Sequence, residues 1–327
     1  MVEGNIEKHA KLLDENITFE HIRREHEARI KSFAEIREAE SFRANQRFRA
    51  LEAAVCPRMY DDRLNWLTSR ACPGTAEWLK KDEAFRDWLD WSSPSTSLLW
   101  VHGIPGAGES HHDQRALQPR QAFLTSALTG KTFLACWAVA EAKKKGRTLY
   151  AFPSHIHADT TALSILLTLL FQSASNDGHL QAMVSDSNKR DLMSDAAVAK
   201  DLLADVLKCA GDTFVVVDGV DELEEFERKQ LLRSLLDILG ACRESGLKIY
   251  ISSREEDDVR RILHPKAKTI CVQTSNRVAI NTYVNSRFDE WMANSEFLDQ
   301  GKSEIRALLY PVCLKAKGTL HYMFFFA

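Results

Sequence analysis

The sequence predicts an α/β fold in which a central, mostly parallel sheet is flanked by helices and preceded by an α-helical amino-terminal segment. The apolar runs 214–217 and 249–251 do not alternate with polar residues, and continuous apolar strands are typical of parallel sheets buried on both faces. A third run, 97–101, leads into the glycine-rich stretch 103–108. Polar residues follow the runs, and α/β folds bind ligands at the carboxyl edge of the sheet.

The composition is that of an ordinary globular protein and excludes several functional classes. The 327 residues are 45% hydrophobic and 27% charged, enough for one large domain and a smaller one. A net charge of −3 gives no general attraction to nucleic acid or to an anionic membrane. The seven cysteines lack zinc spacing, and no apolar run approaches the ~20 residues of a membrane span. We therefore expect a cytoplasmic protein without a nucleic-acid partner or a membrane span.

Residues 1–56 are predicted to form the α-helical amino-terminal segment. The stretch is charged and nearly free of glycine and proline. Its apolar residues recur at spacings of three, four and their multiples, and they include Phe19, Ile22, Ile30, Phe33 and Ile36. The pattern indicates one long helix or a helical hairpin. Packing against the neighbouring domain and self-association through a short coiled coil are both open, and the second makes these helices the binding site for protein partners.

Residues 57–97 are predicted to be a linker that aromatic side chains anchor onto the next domain. Cys56-Pro57 ends the helical pattern, and Pro73-Gly74 separates short helical pieces. The linker contains four tryptophans, Trp66, Trp78, Trp88 and Trp91. A turn at 92–95 then precedes the strand that leads into the glycine-rich stretch.

The glycine-rich stretch matches most of the phosphate-binding pattern G-x-x-x-x-G-K-S/T, in which backbone amides surround phosphates, the lysine reaches their oxygens and the hydroxyl holds magnesium. Gly103, Gly106 and Gly108 fit the pattern, and Ser110 offers the hydroxyl. Glu109, however, occupies the position of the lysine. A unit charge about 4 Å from another is worth roughly 4 kcal/mol at an effective dielectric near 20, so this carboxylate replaces attraction by repulsion.

A Lys-Thr pair further along the chain supplies what the loop lacks. Lys131 and Thr132 open a helical pattern that ends at Gly146, and joining Gly108 to Lys131 restores an intact motif. The 22 residues 109–130 are therefore predicted to be an insertion. A retained intron is the preferred explanation, and a genuine surface insertion is the alternative. Because the motif needs adjacent amides, we expect that the chain with the insertion cannot use Lys131.

The predicted nucleotide domain, 98–275, continues with alternating strands and helices. The run 147–153 predicts a strand, 159–174 a strongly apolar helix, and 173–191 an exposed polar loop before a further helix. His155 and His157 have no third ligand nearby in the sequence, so we do not expect them to bind metal.

Asp218 ends a buried strand and is the candidate magnesium ligand, acting through water beside the hydroxyl of Thr132. Asp221 and Glu222 follow it and are the candidate catalytic residues, because a carboxylate there can orient or deprotonate a water molecule. The alternative is a buried strand followed by an acidic turn with no chemical role.

Arg254 ends the predicted strand 248–254 at the same edge of the sheet, after a helix predicted at 225–239. A guanidinium there can bind a terminal phosphate in bidentate fashion. A salt bridge to one of the acidic residues 255–257 is equally compatible with the sequence. Residues 276–327 are expected to begin a truncated helical region.

These features together resemble the NACHT class of P-loop NTPases, and more narrowly the fungal NLR-like (STAND) proteins with a nephrocystin-3-like N-terminal domain. The resemblance covers roughly residues 74–322. It depends on the ordered segments GTAEWL (74–79), SLLWVHGIPGAG (97–108), TALSILLTLLFQ (161–172), FVVVDGVDELEE (214–225), KIYISSR (248–254) and KAKGTLHY (315–322).

The resemblance implies a nucleotide-dependent signalling switch that uses Mg²⁺ with ATP or GTP, hydrolyses it slowly and acts in fungal non-self recognition or programmed cell death. It implies that the nucleotide-binding residues are Gly103, Gly106, Gly108, Lys131, Thr132 and Arg254, that Thr132 and Asp218 hold magnesium, and that Asp221 and Glu222 are catalytic.

Three departures from the family pattern leave other functions open. The glycine loop is interrupted, Glu255 stands where the family usually has proline, and no sensor repeats follow before Ala327. The chain with Glu109 in place is therefore also compatible with a nucleotide-free scaffold that acts through its amino-terminal helices, or with a nonfunctional fragment.

Overall fold

The computed structural model describes residues 2–57, 60–70, 74, 76–93, 96–103, 130–154, 160–272, 289 and 304, with the backbone alone at 2–20, 22, 70 and 130. Several predictions lie outside the described residues. They concern Gly106, Gly108, Glu109 and Ser110, most of the insertion 109–130, His155 and His157, and nearly all of 276–327.

The described residues form the following helices and strands. The helices are α1 (Val2–Val55), α2 (Asp61–Arg70), α3 (Glu77–Lys81), α4 (Glu83–Leu89), α5 (Gly130–Lys143), α6 (Ala162–Ala174), α7 (Gly178–Ser185), α8 (Lys189–Ser194), α9 (Ala196–Ala210), α10 (Glu225–Ala241) and α11 (Asp257–Leu263). The strands are β1 (Leu98–His102), β2 (Arg147–Ala151), β3 (Thr213–Val217), β4 (Leu247–Ser253) and β5 (Lys268–Cys271), and a 3₁₀ turn, Val220–Glu222, follows β3.

The five strands form one parallel sheet in the order β2-β3-β4-β1-β5. The predicted α/β class with a parallel sheet, flanking helices and an amino-terminal helical segment is confirmed. Strand β4 lies between β1 and β3, and its register places Ser253 opposite His102 and Ile251 opposite Val217. The carboxyl ends of these three strands therefore meet at one edge.

The centre of the core is formed by β3 and β4, in which every residue is buried. Helix α5 packs on β2, β3 and β4, while α6 packs on β2, α9 and α10. The apolar residues predicted for α6 face this core, since Ile165, Leu166, Leu169 and Leu170 are fully buried. Removing such residues from water is the main source of stability for the sheet that carries the site.

The linker is anchored onto the sheet by its aromatic side chains, as predicted. Trp88 is fully buried, and its ring lies 5.0 Å from that of Phe214 and 5.7 Å from that of Tyr250. A lysine adds a polar anchor. Lys248 Nζ donates to the backbone carbonyls of three linker residues, Asp87, Asp90 and Ser93, at 2.6 to 2.8 Å.

The amino-terminal segment is a single helix, α1, and not a hairpin. Its carboxyl-terminal part packs against α7, where Asn45 Nδ2 donates to Gln181 Oε1 at 2.9 Å, and against α6, where the rings of Phe48 and Phe171 are 5.3 Å apart. Domain packing, one of the two predicted roles, is therefore confirmed for this part of the helix. None of the helices in the described residues is both long and apolar enough to cross a membrane.

Two local predictions were wrong or incomplete. The polar stretch 173–191 is not an exposed loop, because α7 and the start of α8 lie within it. Asp177 caps α7 by accepting from the amides of His179 and Leu180, and the buried Leu180, Val184 and Leu192 attach both helices to the core. Strand β5 was not predicted at all, because its four residues are too short a pattern to recognise.

Candidate functional site

The candidate site lies at the carboxyl edge of the sheet, where β1, β3 and β4 end and α5 begins. Gly103 follows β1, Asp218 follows β3, and Arg254 follows β4. Lys131 and Thr132 stand in the first turn of α5, where unpaired amides and the helix dipole favour an anion. The structure thus brings together the predicted site residues that it describes.

Lys131 reaches back to the end of β1. The side chain is buried, and Nζ donates to the backbone oxygen of Gly103 at 3.1 Å. Burial lowers the pKa of Lys131, and the carboxylates of Asp221 and Asp218 oppose that shift. A Cβ added at Gly103 would lie 3.3 Å from the Cβ of Val272, so a side chain there would require Val272 to shift.

Asp218 is the buried carboxylate of the site. It accepts hydrogen bonds from the hydroxyls of Ser252 and Thr132. Burial nevertheless raises the pKa of Asp218 to about 6, because the charged form loses its hydration. Gly219 turns the chain away directly afterwards at φ +76°, and a Cβ there would lie 3.4 Å from Pro153 O.

The carboxylate of Asp221 is paired with Arg254, the arginine that follows β4. One of its carboxylate oxygens accepts from the backbone amide of Arg254 at 3.0 Å, and the other lies 3.0 Å from the guanidinium Nε of Arg254. The sequence left two roles open for this arginine, phosphate binding and a salt bridge to residues 255–257. The structure shows a further partner, because Arg254 forms an ion pair with Asp221. The geometry gives Asp221 the task of positioning Arg254.

A second ion pair holds the acidic turn in place. Arg228 forms a bidentate bridge to Asp258 at 2.8 and 3.0 Å, and also donates to the backbone oxygens of Asp221 and Leu223. Both side chains are 12% exposed. Glu222 lies within this fixed turn, with its carboxylate beside Gly219. The turn is therefore connected to α11 and, through Arg254, to β4.

Two further contacts at this edge were missed by sequence reasoning. Ser252 holds Asp218, and the only signal for it was a polar residue near the end of an apolar strand. His102 Nδ1 lies 3.5 Å from Glu255, the residue that departs from the family pattern. Burial lowers the pKa of His102, and the Glu255 carboxylate acts in the opposite direction.

A family model described as Nephrocystin 3, N-terminal, matches residues 74–117 and 123–254, more than half of the chain. The break between the two matched segments, 118–122, falls inside the stretch 109–130 that the sequence predicts to be inserted, while the rest of that stretch lies within the matched segments. The comparison with curated proteins finds no match. The matched residues include β1, β3 and β4 and the start of α5, which together form the site. The chain belongs to the family of the nephrocystin 3 N-terminal domain.

Proposed function

We propose that this protein, in the form that lacks residues 109–130, binds ATP or GTP with Mg²⁺ at the carboxyl edge of its sheet and works as a nucleotide-dependent signalling switch of the NACHT class of P-loop NTPases. The observation that carries the proposal is the placement of Lys131 beside Gly103, with Thr132 bonded to the buried Asp218. An ammonium, a hydroxyl and a carboxylate at a helix start are the groups that phosphate and magnesium require.

The donor set fits a magnesium ion that keeps most of its water. Within the described residues, no three or more His, Cys, Asp and Glu side chains are placed to hold a metal ion together. Mg²⁺ is commonly bound by one or two protein oxygens, water and substrate phosphates. Asp218 and Thr132 would hold it, and the ion would neutralise phosphate charge. Its binding would also keep Asp218 ionised, against the effect of burial.

The acidic turn and Arg254 have separate roles in hydrolysis and in signalling. Glu222 is the candidate to orient the attacking water, and Asp221 positions Arg254. Arg254 would sense the terminal phosphate, since guanidinium binds phosphate oxygens well. A phosphate bound by Arg254 while Asp221 positions the guanidinium would link β4 to the turn after β3, and the loss of this link on hydrolysis is the switch. Fungal non-self recognition or programmed cell death is the cellular role that we attach to the switch.

A nucleotide-free scaffold is the second candidate, and Glu109 is the observation that favours it. A carboxylate in the phosphate-binding loop repels the ligand that the loop is shaped to hold. In that case the amino-terminal helix α1 would carry the function.

Nucleotide binding by two forms of the protein tests the proposal. Fluorescent ATP and GTP analogues are titrated with Mg²⁺ into the full chain and into a chain lacking residues 109–130. We expect the shorter chain to bind, and the full chain to bind at least about tenfold more weakly because of Glu109. In the shorter chain, Lys131→Met should weaken binding at least about a hundredfold, whereas the exposed Lys145→Met should not.

The outcomes separate the candidate functions. If the shorter chain folds, as circular dichroism would show, and binds neither nucleotide, the switch proposal fails and the scaffold remains. Sequencing the transcript across codons 108–131 tests the intron explanation independently, since a spliced message lacks the 66 nucleotides that encode the 22 residues.

A further inference from the structure

The exposed face of α1 is a feature that the proposed function leaves unused. Every described side chain from residue 23 to residue 43 is exposed. Ile30, Phe33 and Ile36 are large apolar residues on this stretch, with 56%, 63% and 50% of their surface exposed. Residues three apart are neighbours on a helix, so the three side chains form one stripe. Large apolar side chains grouped on a surface mark an interaction site.

The stripe continues the face with which α1 binds its own domain. At 3.6 residues per turn, Leu51 lies five turns after Phe33, directly in line with it, and Ala44 and Phe48 lie within about 60° of that line. Ala44, Phe48 and Leu51 are buried. The packed domain therefore covers this face of α1 from residue 44 onwards. The same face is exposed before residue 44, where the helix extends past the edge of the domain.

The charges of α1 favour an antiparallel copy of the same helix as the partner. Residues 2–22 contain five acidic and two basic side chains, whereas residues 23–43 contain five acidic and six basic ones. The two halves therefore have opposite net charge, −3 and +1. An antiparallel pair places each half against its opposite, while a parallel pair places like on like.

The position of the domain selects the same arrangement. In a parallel pair, residues 44–55 of the second helix and their domain would need the space that the first domain occupies. An antiparallel helix that pairs with residues 2–43 ends at the domain edge, after about 60 Å at 1.5 Å per residue. The two-fold axis then passes between residues 22 and 23.

We propose that α1 pairs in antiparallel orientation with α1 of a second copy of this chain, through the face that contains Ile30, Phe33 and Ile36. The pairing does not depend on nucleotide binding. It makes the amino-terminal segment a dimerisation element that holds two sheet domains at opposite ends of a two-helix rod.

Sedimentation of the full chain with two matched variants tests the proposal. Phe33 and Phe42 are each 63% exposed, but nine residues, or two and a half turns, place them on opposite sides of α1. We expect the wild-type chain to be dimeric when its concentration reaches about 100 µM. Phe33→Glu should raise the dissociation constant of the dimer about a hundredfold, and Phe42→Glu should leave it unchanged. A monomeric wild-type chain, or equal behaviour of the two variants, overturns the proposal.

Spin labels determine the orientation. Labels are attached at Ala28 or at Ala39, both exposed and outside the stripe, in a chain that keeps only the buried cysteines Cys136 and Cys242. The antiparallel pair predicts a separation of about 20 Å at position 28 and about 50 Å at position 39. Equal short separations at both positions would show a parallel pair and reject the proposed arrangement.

Discussion

At the scale of single residues, the site concentrates charged groups where water is excluded, and Asp218 is the clearest case. Its carboxylate is buried and accepts two hydroxyl hydrogen bonds from the described residues, which do not replace the hydration that it loses. Its pKa is therefore raised from 3.8 to about 6. The protein without ligand folds in spite of the free-energy cost of burying this carboxylate, as expected for a group retained for binding and not for stability.

Replacement of Asp218 is expected to stabilise the free protein. Because folding raises this pKa, folding takes up a proton between pH about 4 and 6, and the free energy of unfolding falls as pH rises through that interval. Relative to wild type, Asp218→Asn should therefore gain about 3 kcal/mol between pH 4 and pH 7. Urea denaturation at several pH values measures the gain. Asp237→Asn, at an exposed carboxylate, is the control, and a gain independent of pH would contradict the argument.

Asp221 and Glu222 are adjacent, but we expect substitutions at the two positions to have different effects. One should change nucleotide preference and the other should change turnover. Asp221→Asn weakens the hold on Arg254, so the preference for triphosphate over diphosphate should fall about tenfold. Glu222→Gln should leave that preference intact and lower turnover about a hundredfold, because the water loses its base. Binding titrations and phosphate release distinguish the two. Identical effects of both changes would show that the carboxylates act as one group.

At the scale of elements, the sheet is connected to the linker before it by a side chain that the sequence does not mark. Lys248 is the second residue of the apolar strand β4, and the sequence indicated no role for it. The structure buries it beneath α4, with three carbonyls around its ammonium group. The linker is thereby fixed by hydrogen bonds as well as by Trp88 and Trp91.

Removal of this lysine should detach the linker. Lys248→Met leaves three carbonyls without their donor, and the free energy of unfolding should fall by about 2 to 4 kcal/mol. Lys268→Met is a matched control, because Lys268 also begins a strand but is exposed. Urea denaturation compares the two variants. Equal stability would mean that the aromatic contacts alone hold the linker.

Some helices and strands could be predicted from the sequence and others could not. The strands β1, β3 and β4 were predictable, because continuous apolar runs leave no other location for them than a buried sheet. Helices α7 and α8 were not, because short polar helices depend on caps such as Asp177 and on a few buried residues. The pairing of Asp221 with Arg254 was also invisible, since the two residues are 33 apart and meet only through the order of the strands.

At the scale of the whole molecule, α1 is the one described element that extends beyond the packed core. Its last turns hold Phe48 and Leu51 in the core, while every described side chain from 23 to 43 is exposed. The helix thus has one part that belongs to the domain and one part that faces outward. Isolated helices are marginally stable in water, so the outward part gains from a partner.

Two truncations should separate these parts. Removal of residues 1–43 should change the free energy of unfolding by less than about 0.5 kcal/mol, measured where the chain is too dilute to associate. Removal of residues 1–55 also deletes the buried Phe48 and Leu51, and should cost several kcal/mol. Thermal and urea denaturation report both. A large loss on the first truncation would mean that the outward part contributes to the domain after all.

The placement of Lys131 beside Gly103 has a consequence for inheritance. Twenty-seven residues separate the two in the chain, yet α5 is located by its packing on β2, β3 and β4 and not by a short covalent link. A gene that acquires extra codons between β1 and α5 would therefore still yield a chain that folds and escapes cellular quality control. Selection would detect such a change only through the ligand, so this junction is where the lineage can lose its chemistry while keeping its architecture.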